Sequence, residues 1–172
     1  ETDDSYDVRL SRSTVVPYLQ RIEKMLSGML TRKPVRLDNV SDLVREQLFD
    51  VDLEGNDLNV WLYETARTAI SFGHVGVLVD APKEGDKTRP YWVTYSPRNI
   101  LGWRSEIIDG ARQLTQLRLL ENVVEPDGKY GEKQVKQIRV LERGRYEIHR
   151  KDKKNSEYKL FDEGEMSLKD KI

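Results

Sequence analysis

The sequence contains no cysteine, which excludes disulfides, thiolate nucleophiles and cysteine-ligated metals. No apolar run approaches the ~20 residues that a membrane-spanning helix needs. Histidine is scarce: His74 and His149 are the only two, and neither has a partner at a metal-binding spacing. Net charge is also lacking. Charged residues make up 34% of the chain, against about 25% in an average domain, yet they sum to −1. No global field draws nucleic acid or an acidic substrate. No G-x-S-x-G, P-loop or G-x-G-x-x-G string occurs. The glycines of Phe72-Gly73-His74-Val75-Gly76 precede a strand pattern, whereas a phosphate cradle leads into a helix N-terminus. No carboxylate pair stands out as an acid/base dyad.

What is present is enough apolar residue, 37% of 172, to bury a core without staples. Residues 56–95 organise the chain. Asn56 is expected as an N-cap, with Asp57 in the first turn, where the helix dipole favours a negative charge. Leu58, Trp61, Leu62, Thr65, Ala66, Ala69 and Ile70 recur at helical spacing, predicting a helix over 57–72 with Trp61 in a core. Gly73 suits the left-handed residue that ends it. Residues 75–79 are apolar on both faces, which predicts a strand covered on both sides. A second strand over 91–95 pairs with it antiparallel, across a polar, mobile tip at 81–89.

Ahead of this core, residues 1–13 are polar and without period, and read as a flexible arm. The spacing predicts a helix over 14–30, with Ser13 as N-cap, Pro17 in the first turn and a stripe through Tyr18, Leu19, Ile22, Leu26, Met29 and Leu30. A short helix over 42–49 follows, capped by Ser41, with Leu43, Val44 and Leu48 inward. After residue 95 the pattern turns to strands: 100–108, a hairpin signal at Asp109-Gly110, 112–124, a turn at Pro126-Asp127-Gly128, 134–142, a tight turn at Arg143-Gly144, 145–150 and 157–161. The fold class is α+β: N-terminal helices packed on a largely antiparallel, meander-type sheet. A single domain is expected over 14–162, with 163–172 a patternless tail where a longer protein would continue.

Two features carry candidate chemistry. Asp50, Asp52 and Glu54, with Gly55 at the sixth position, resemble the opening of a calcium loop. The twelfth position, normally a bidentate glutamate, is Trp61. A small metal-dependent or phosphate-handling enzyme using Asp50, Asp52 and Glu54 is one alternative function, set against a polar turn before a helix. The second feature is a basic hairpin, Arg143, Arg145, Arg150, Lys151, Lys153 and Lys154, able to meet phosphate or an acidic partner. Glu142, Glu147 and Asp152 dilute it, and a solvated tip is the plainer reading. On these features alone no active site, metal or cofactor is expected.

A resemblance goes further. Tyr18-Leu19 with Arg32-Lys33-Pro34, Asp52 to Gly55 with Leu58, and Ser71 to Asp80 occur in order. Arg89-Pro90-Tyr91, Tyr95-Ser96-Pro97, Ile100 to Arg104, Leu114-Thr115 with Glu121, and Arg139-Val140-Leu141 follow. This order is similar to that of a phage family grouped with the portal proteins of tailed bacteriophages, over most of residues 15–162. Phe72 stands where tyrosine is usual, and Gly102 where asparagine is. The resemblance implies a non-enzymatic structural protein of the virion, assembled in the host cytoplasm as a ring at the capsid vertex. Its partners would be other portal subunits, the capsid, terminase and tail adaptor proteins, with DNA in the channel and no membrane. No long stem helices follow the meander, so the resemblance points to the outer wing region, monomeric by itself. A non-phage adaptor domain of the same fold is a further alternative.

Overall fold

The computed structural model describes residues 3–13, 16–80, 89–151 and 157–166. Among them are four α-helices and two antiparallel sheets, of two and five strands, so the α+β expectation holds. The region expected as one domain is spanned by two compact units, Glu1–Gly73 and His74–Ile172.

The first unit is helical. Where an irregular arm was expected, α1 runs Asp3–Arg12. Asp3 and Asp4 occupy its first turn and Arg9 and Arg12 its last, the arrangement the helix dipole favours. It buries no side chain, which is why no apolar stripe announces it. Ser13 does not cap the following helix; its hydroxyl donates to the Arg9 carbonyl at 2.7 Å. Helix α2 spans Tyr18–Leu30 and begins directly after Pro17, without a side-chain cap. Proline lacks an N–H, so a helix start costs it no hydrogen bond. The expected stripe of large residues is exposed; the one buried residue of α2 is Ser27. Its hydroxyl donates to the Glu23 carbonyl at 2.8 Å, satisfying a polar group that burial would otherwise penalise.

Helix α3, Asp42–Gln47, is capped as expected: Ser41 Oγ accepts from the Val44 N–H. It ends two residues early, and Leu43 and Val44, expected inward, are exposed. Helix α4 spans Leu58–Phe72 and packs on α2. Its cap is Asp57, not Asn56: one carboxylate oxygen accepts from the N–H groups of Asn59 and Val60 at 2.8 and 2.9 Å. Asn56 instead donates its side-chain amide to Asp52 at 2.7 Å. Trp61 is buried, as its place on the stripe predicts, and Gly73 ends α4 at φ 83°.

The second unit is built of strands. Strands β1 (Gly76–Asp80) and β2 (Tyr91–Tyr95) form the two-stranded antiparallel sheet, Leu78 facing Val93 in register. The expectation that β1 is covered on both faces fails: Val77 and Val79 are exposed while Gly76, Leu78 and Asp80 are half-buried. An antiparallel pair buries only the face it lays on the core. The tip expected between these strands lies, at 81–88, outside the described residues.

The other strands, β3 (Ile100–Ile108), β4 (Ala111–Asp127), β5 (Gly131–Glu142), β6 (Arg145–Lys151) and β7 (Tyr158–Glu165), follow one another as an antiparallel meander in sequence order. Asp109 and Gly110, both at positive φ, make the β3–β4 turn that the sequence signals. Strand β7 runs on through residues expected as tail, and the Met166 N–H donates to the Gly144 carbonyl at 2.8 Å. Tyr95, Leu119 and Leu141 form the buried core of this unit, with Leu78, Val93, Ile100, Leu117, Tyr146 and Met166 packed around them. The small sheet thereby lies on one face of the large one.

Candidate functional site

Beside that apolar core the strands place a polar cluster, in a cleft of about 570 Å³. Strand alternation explains its position. On β4, Leu119 points into the core, and Glu121, two residues on, shares its face. On β5, Gln137, Arg139 and Leu141 share a face in the same way, and Arg139 stands opposite Leu119 in register. Tyr95 closes β2, and Asp80 and Tyr91 face each other across the small sheet.

The contacts are dense. Tyr95 donates its hydroxyl to Glu121 Oε1 at 2.6 Å, and Gln137 donates to Glu121 Oε2 at 2.6 Å. Arg139 Nη1 donates to Asp80 Oδ2 at 2.6 Å, and its Nε lies 2.8 Å from Glu121 Oε1 in an ion pair. That Nε makes no hydrogen bond of good angle. Tyr91 donates to Asp80 Oδ2 at 3.3 Å. A second tier continues from Gln137, whose Oε1 accepts from Arg150 Nε at 2.9 Å, and Arg150 Nη1 reaches Glu125 at 2.6 Å. The Arg150 guanidinium stacks 3.8 Å from the Phe161 ring.

The electrostatics follow. Burial pushes the Tyr95 hydroxyl far above its ordinary range, and its hydrogen bond to the Glu121 carboxylate and that charge add to the effect. Burial likewise raises Tyr91, helped by the Asp80 charge. For Arg139, burial opposes the charge, but Glu121 and Asp80 more than offset it and the guanidinium is held still more firmly protonated. Both tyrosines are therefore neutral donors and Arg139 a fixed cation between two carboxylates. Both oxygens of Glu121 are engaged by protein groups. Chemically the arrangement is a tie: Arg139 on β5 binds β4 through Glu121 and β1 through Asp80, and so clamps the two sheets.

The sequence-derived candidates are placed elsewhere. Arg143 and Arg145 sit at the β5–β6 turn, Arg143 on Gln113 and Arg145 on Glu142 and Glu147. Arg150 and Lys151 lie at the far end of β6, roughly 17 Å away at ~3.3 Å per residue; Lys151 stacks on Tyr158 at 4.7 Å. Lys153 and Lys154 lie outside the described residues. The four described cations are thus divided between two ends of a strand, and Arg150 joins the polar cluster.

In the calcium-like loop, Asp52 accepts from the N–H groups of Glu54 and Asn56 at 3.0 and 3.3 Å, and Asp50 from that of Gly55 at 2.9 Å. Burial opposes the Asp52 charge, but the Asn56 side chain and the two backbone N–H groups outweigh it and lower the acid's pKa. Both carboxylates are spent on closing the turn. Among the described residues no group of three or more His, Asp or Glu side chains could hold a metal ion. His149 pairs with Glu147 at 3.0 Å, and His74 is exposed.

Residue-by-residue reading of the sequence does not single out the Asp80–Tyr91–Tyr95–Glu121–Arg139 cluster as a site. The available signal was a charged residue on the core face of a strand, Glu121 two places after Leu119 and Arg139 two before Leu141. No protein-family model matches the chain, and no curated protein matches it.

Proposed function

We propose that the chain is the outer wing region of a phage portal subunit, a structural part of the ring at the capsid vertex through which DNA is packaged and ejected. One observation carries this reading. Asp80, Tyr91, Tyr95, Glu121 and Arg139 all belong to the short motifs whose order resembles the portal-like family. They are scattered over sixty residues' worth of chain, as the 59-residue separation of Arg139 from Asp80 illustrates, yet they meet in one hydrogen-bonded network. A fortuitous string of loose motifs has no reason to converge in space.

In this reading the wing is a rigid, non-catalytic plate. Its strands are clamped by Arg139, and its role is mechanical: to hold shape while capsid, terminase and tail adaptors engage the ring. The chemistry of the cluster suits that role, because its donors and acceptors are turned on each other.

Electron microscopy of the protein produced from its complete gene tests the proposal. Closed rings with a central channel are expected. A strictly monomeric full-length protein would overturn the assignment. The genes flanking it give an independent check, with a large terminase subunit expected upstream and a capsid gene downstream.

A further inference from the structure

We infer that the exposed apolar face of α2 is the contact of a two-fold dimer, in which α2 of one copy of this chain lies antiparallel on α2 of a second. The inference rests on the helical unit, is independent of the portal reading, and replaces the monomer that the resemblance implies.

Helix α2 carries its apolar side outward. Its covered face, in a helix that packs on α4, is that of Glu23, Ser27 and Thr31, polar residues that gain little from burial. The large apolar side chains stand on the other side. Tyr18, Ile22, Met25 and Met29, spaced four, three and four, form the seam that one helix presents to another. Leu19, Leu26 and Leu30 widen it along one flank. All seven are exposed, Tyr18 and Met29 at 67% and Leu30 at 69%. At these exposures the stripe carries roughly 800 Å² per copy, the share that one partner gives to a standard interface. Covering most of it on two copies reaches the ~1,200 Å² at which stable interfaces begin.

The stripe also matches itself. A two-fold axis between residues 23 and 24 sets Tyr18 opposite Met29 of the second copy and Ile22 opposite Met25, so that every seam residue meets a seam residue. At the C-terminal end of α2 a hollow of about 370 Å³ is lined by Met29, Leu30, Arg32 and Lys33. Tyr18 of the second copy arrives at this hollow as an aromatic anchor, with apolar side chains for its ring and cations to lie over its face. The symmetry fills both hollows at once.

Charge selects the direction. Arg21 stands at the edge of the stripe, and antiparallel pairing lays it beside Gly28 of the second copy, whose missing Cβ would have nothing within 4 Å. Glu23 is half-buried on the covered face, and Lys24 lies on the far side of the helix from the stripe. Parallel pairing would gather Arg32 and Lys33 of both copies at one end, and like charges so juxtaposed are costly. Antiparallel pairing sends them to opposite ends. A two-fold contact closes on itself, so association stops at two.

Sedimentation velocity of the whole chain from about 1 to about 500 μM, a range that spans weak and moderate complexes, tests this. The wild-type chain should pass from monomer to dimer and no further. Ile22→Lys/Met29→Lys alters only exposed side chains; it should keep the wild-type circular dichroism spectrum and remain monomeric. Tyr18→Ala should weaken the dimer about tenfold or more, as loss of an anchor does. Tyr130→Ala, at an exposed turn of the strand unit, should leave it unchanged. The chain has no cysteine, so introduced disulfides report the orientation. Tyr18→Cys and Met29→Cys chains, mixed and oxidised, should link to each other, the other end of each pair keeping its native Tyr18 and Met29. Neither should link to itself, because antiparallel pairing holds the two copies of either residue roughly 16 Å apart along the axis, beyond the ~7 Å between Cα atoms that a disulfide spans. A chain monomeric throughout leaves the face to some other partner and overturns the inference. So does a dimer that survives Ile22→Lys/Met29→Lys, or a Tyr18→Cys chain that links to itself, the mark of parallel pairing.

Discussion

Tyr95 donates a hydrogen bond from its hydroxyl to Glu121 Oε1 at 2.6 Å, while Arg139 Nε lies 2.8 Å from the same oxygen. One carboxylate oxygen thus joins β2, β4 and β5. Removing a partner from such a site leaves a charge that the surroundings cannot solvate. Arg139→Met should therefore cost about 3 kcal/mol in a denaturant melt, the range seen when one member of a buried pair is deleted. Tyr95→Phe should cost less, about 1–3 kcal/mol, for one lost hydrogen bond to a charged group. Adding Glu121→Leu to Arg139→Met should restore part of the loss, because the stranded carboxylate goes with it. A double variant worse than the sum of its parts would refute the tie.

The same geometry sets an alkaline limit. The folded-state pKa of Tyr95 lies above its ordinary value of 10.0. Below pH 10 the hydroxyl is neutral in both states and the stabilisation is intact. Above it the unfolded chain ionises and the folded one does not, so stability falls as pH rises. Among the eight tyrosines, spectrophotometric titration should show Tyr95 ionising only as the protein unfolds. A smooth titration of all eight with the fold intact would contradict this.

At the acid end the sign is reversed. Asp52 is lowered because its hydrogen bonds outweigh burial, and Glu142 is lowered by the Gln116 side chain and by Arg145. Depressed carboxylates contribute stability above their ordinary values of 3.8 and 4.5, and that contribution is lost as pH falls through the folded values. Asp52→Asn should therefore flatten the decline of melting temperature as pH falls below the ordinary Asp52 value of 3.8. An unchanged slope would show that the turn does not depend on the charge.

In the helical unit, Trp61→Ala should cost about 3–5 kcal/mol, as for other buried tryptophans. Asp57→Ala should cost about 1 kcal/mol through the lost cap. Asn56→Ala should act through Asp52 instead, and so should share the altered acid response of Asp52→Asn. Equal, cap-like losses for both residues would place the helix start one residue earlier.

Whatever depends on neighbours along the chain is legible in the residues alone. The α4 stripe with Trp61 in it, the stop at Gly73, the cap at Ser41 and the Asp109-Gly110 turn are all local events, governed by backbone angles and a spacing of a few residues. The meander is a succession of such turns. What depends on competition or on distance is settled by the packing of the folded chain. Asp57 outcompetes Asn56 for the cap because Asn56 is already held by Asp52. Helix α1 forms without an apolar stripe, its ends matched to the dipole by charge alone. The basic residues of the last hairpin, neighbours in sequence, are set at opposite ends of β6 because a strand extends about 3.3 Å per residue. The converse holds for Asp80, Tyr95, Glu121 and Arg139. No local rule links them, and they meet because strand alternation turns each toward the space between two sheets, where a charge persists only beside its opposite.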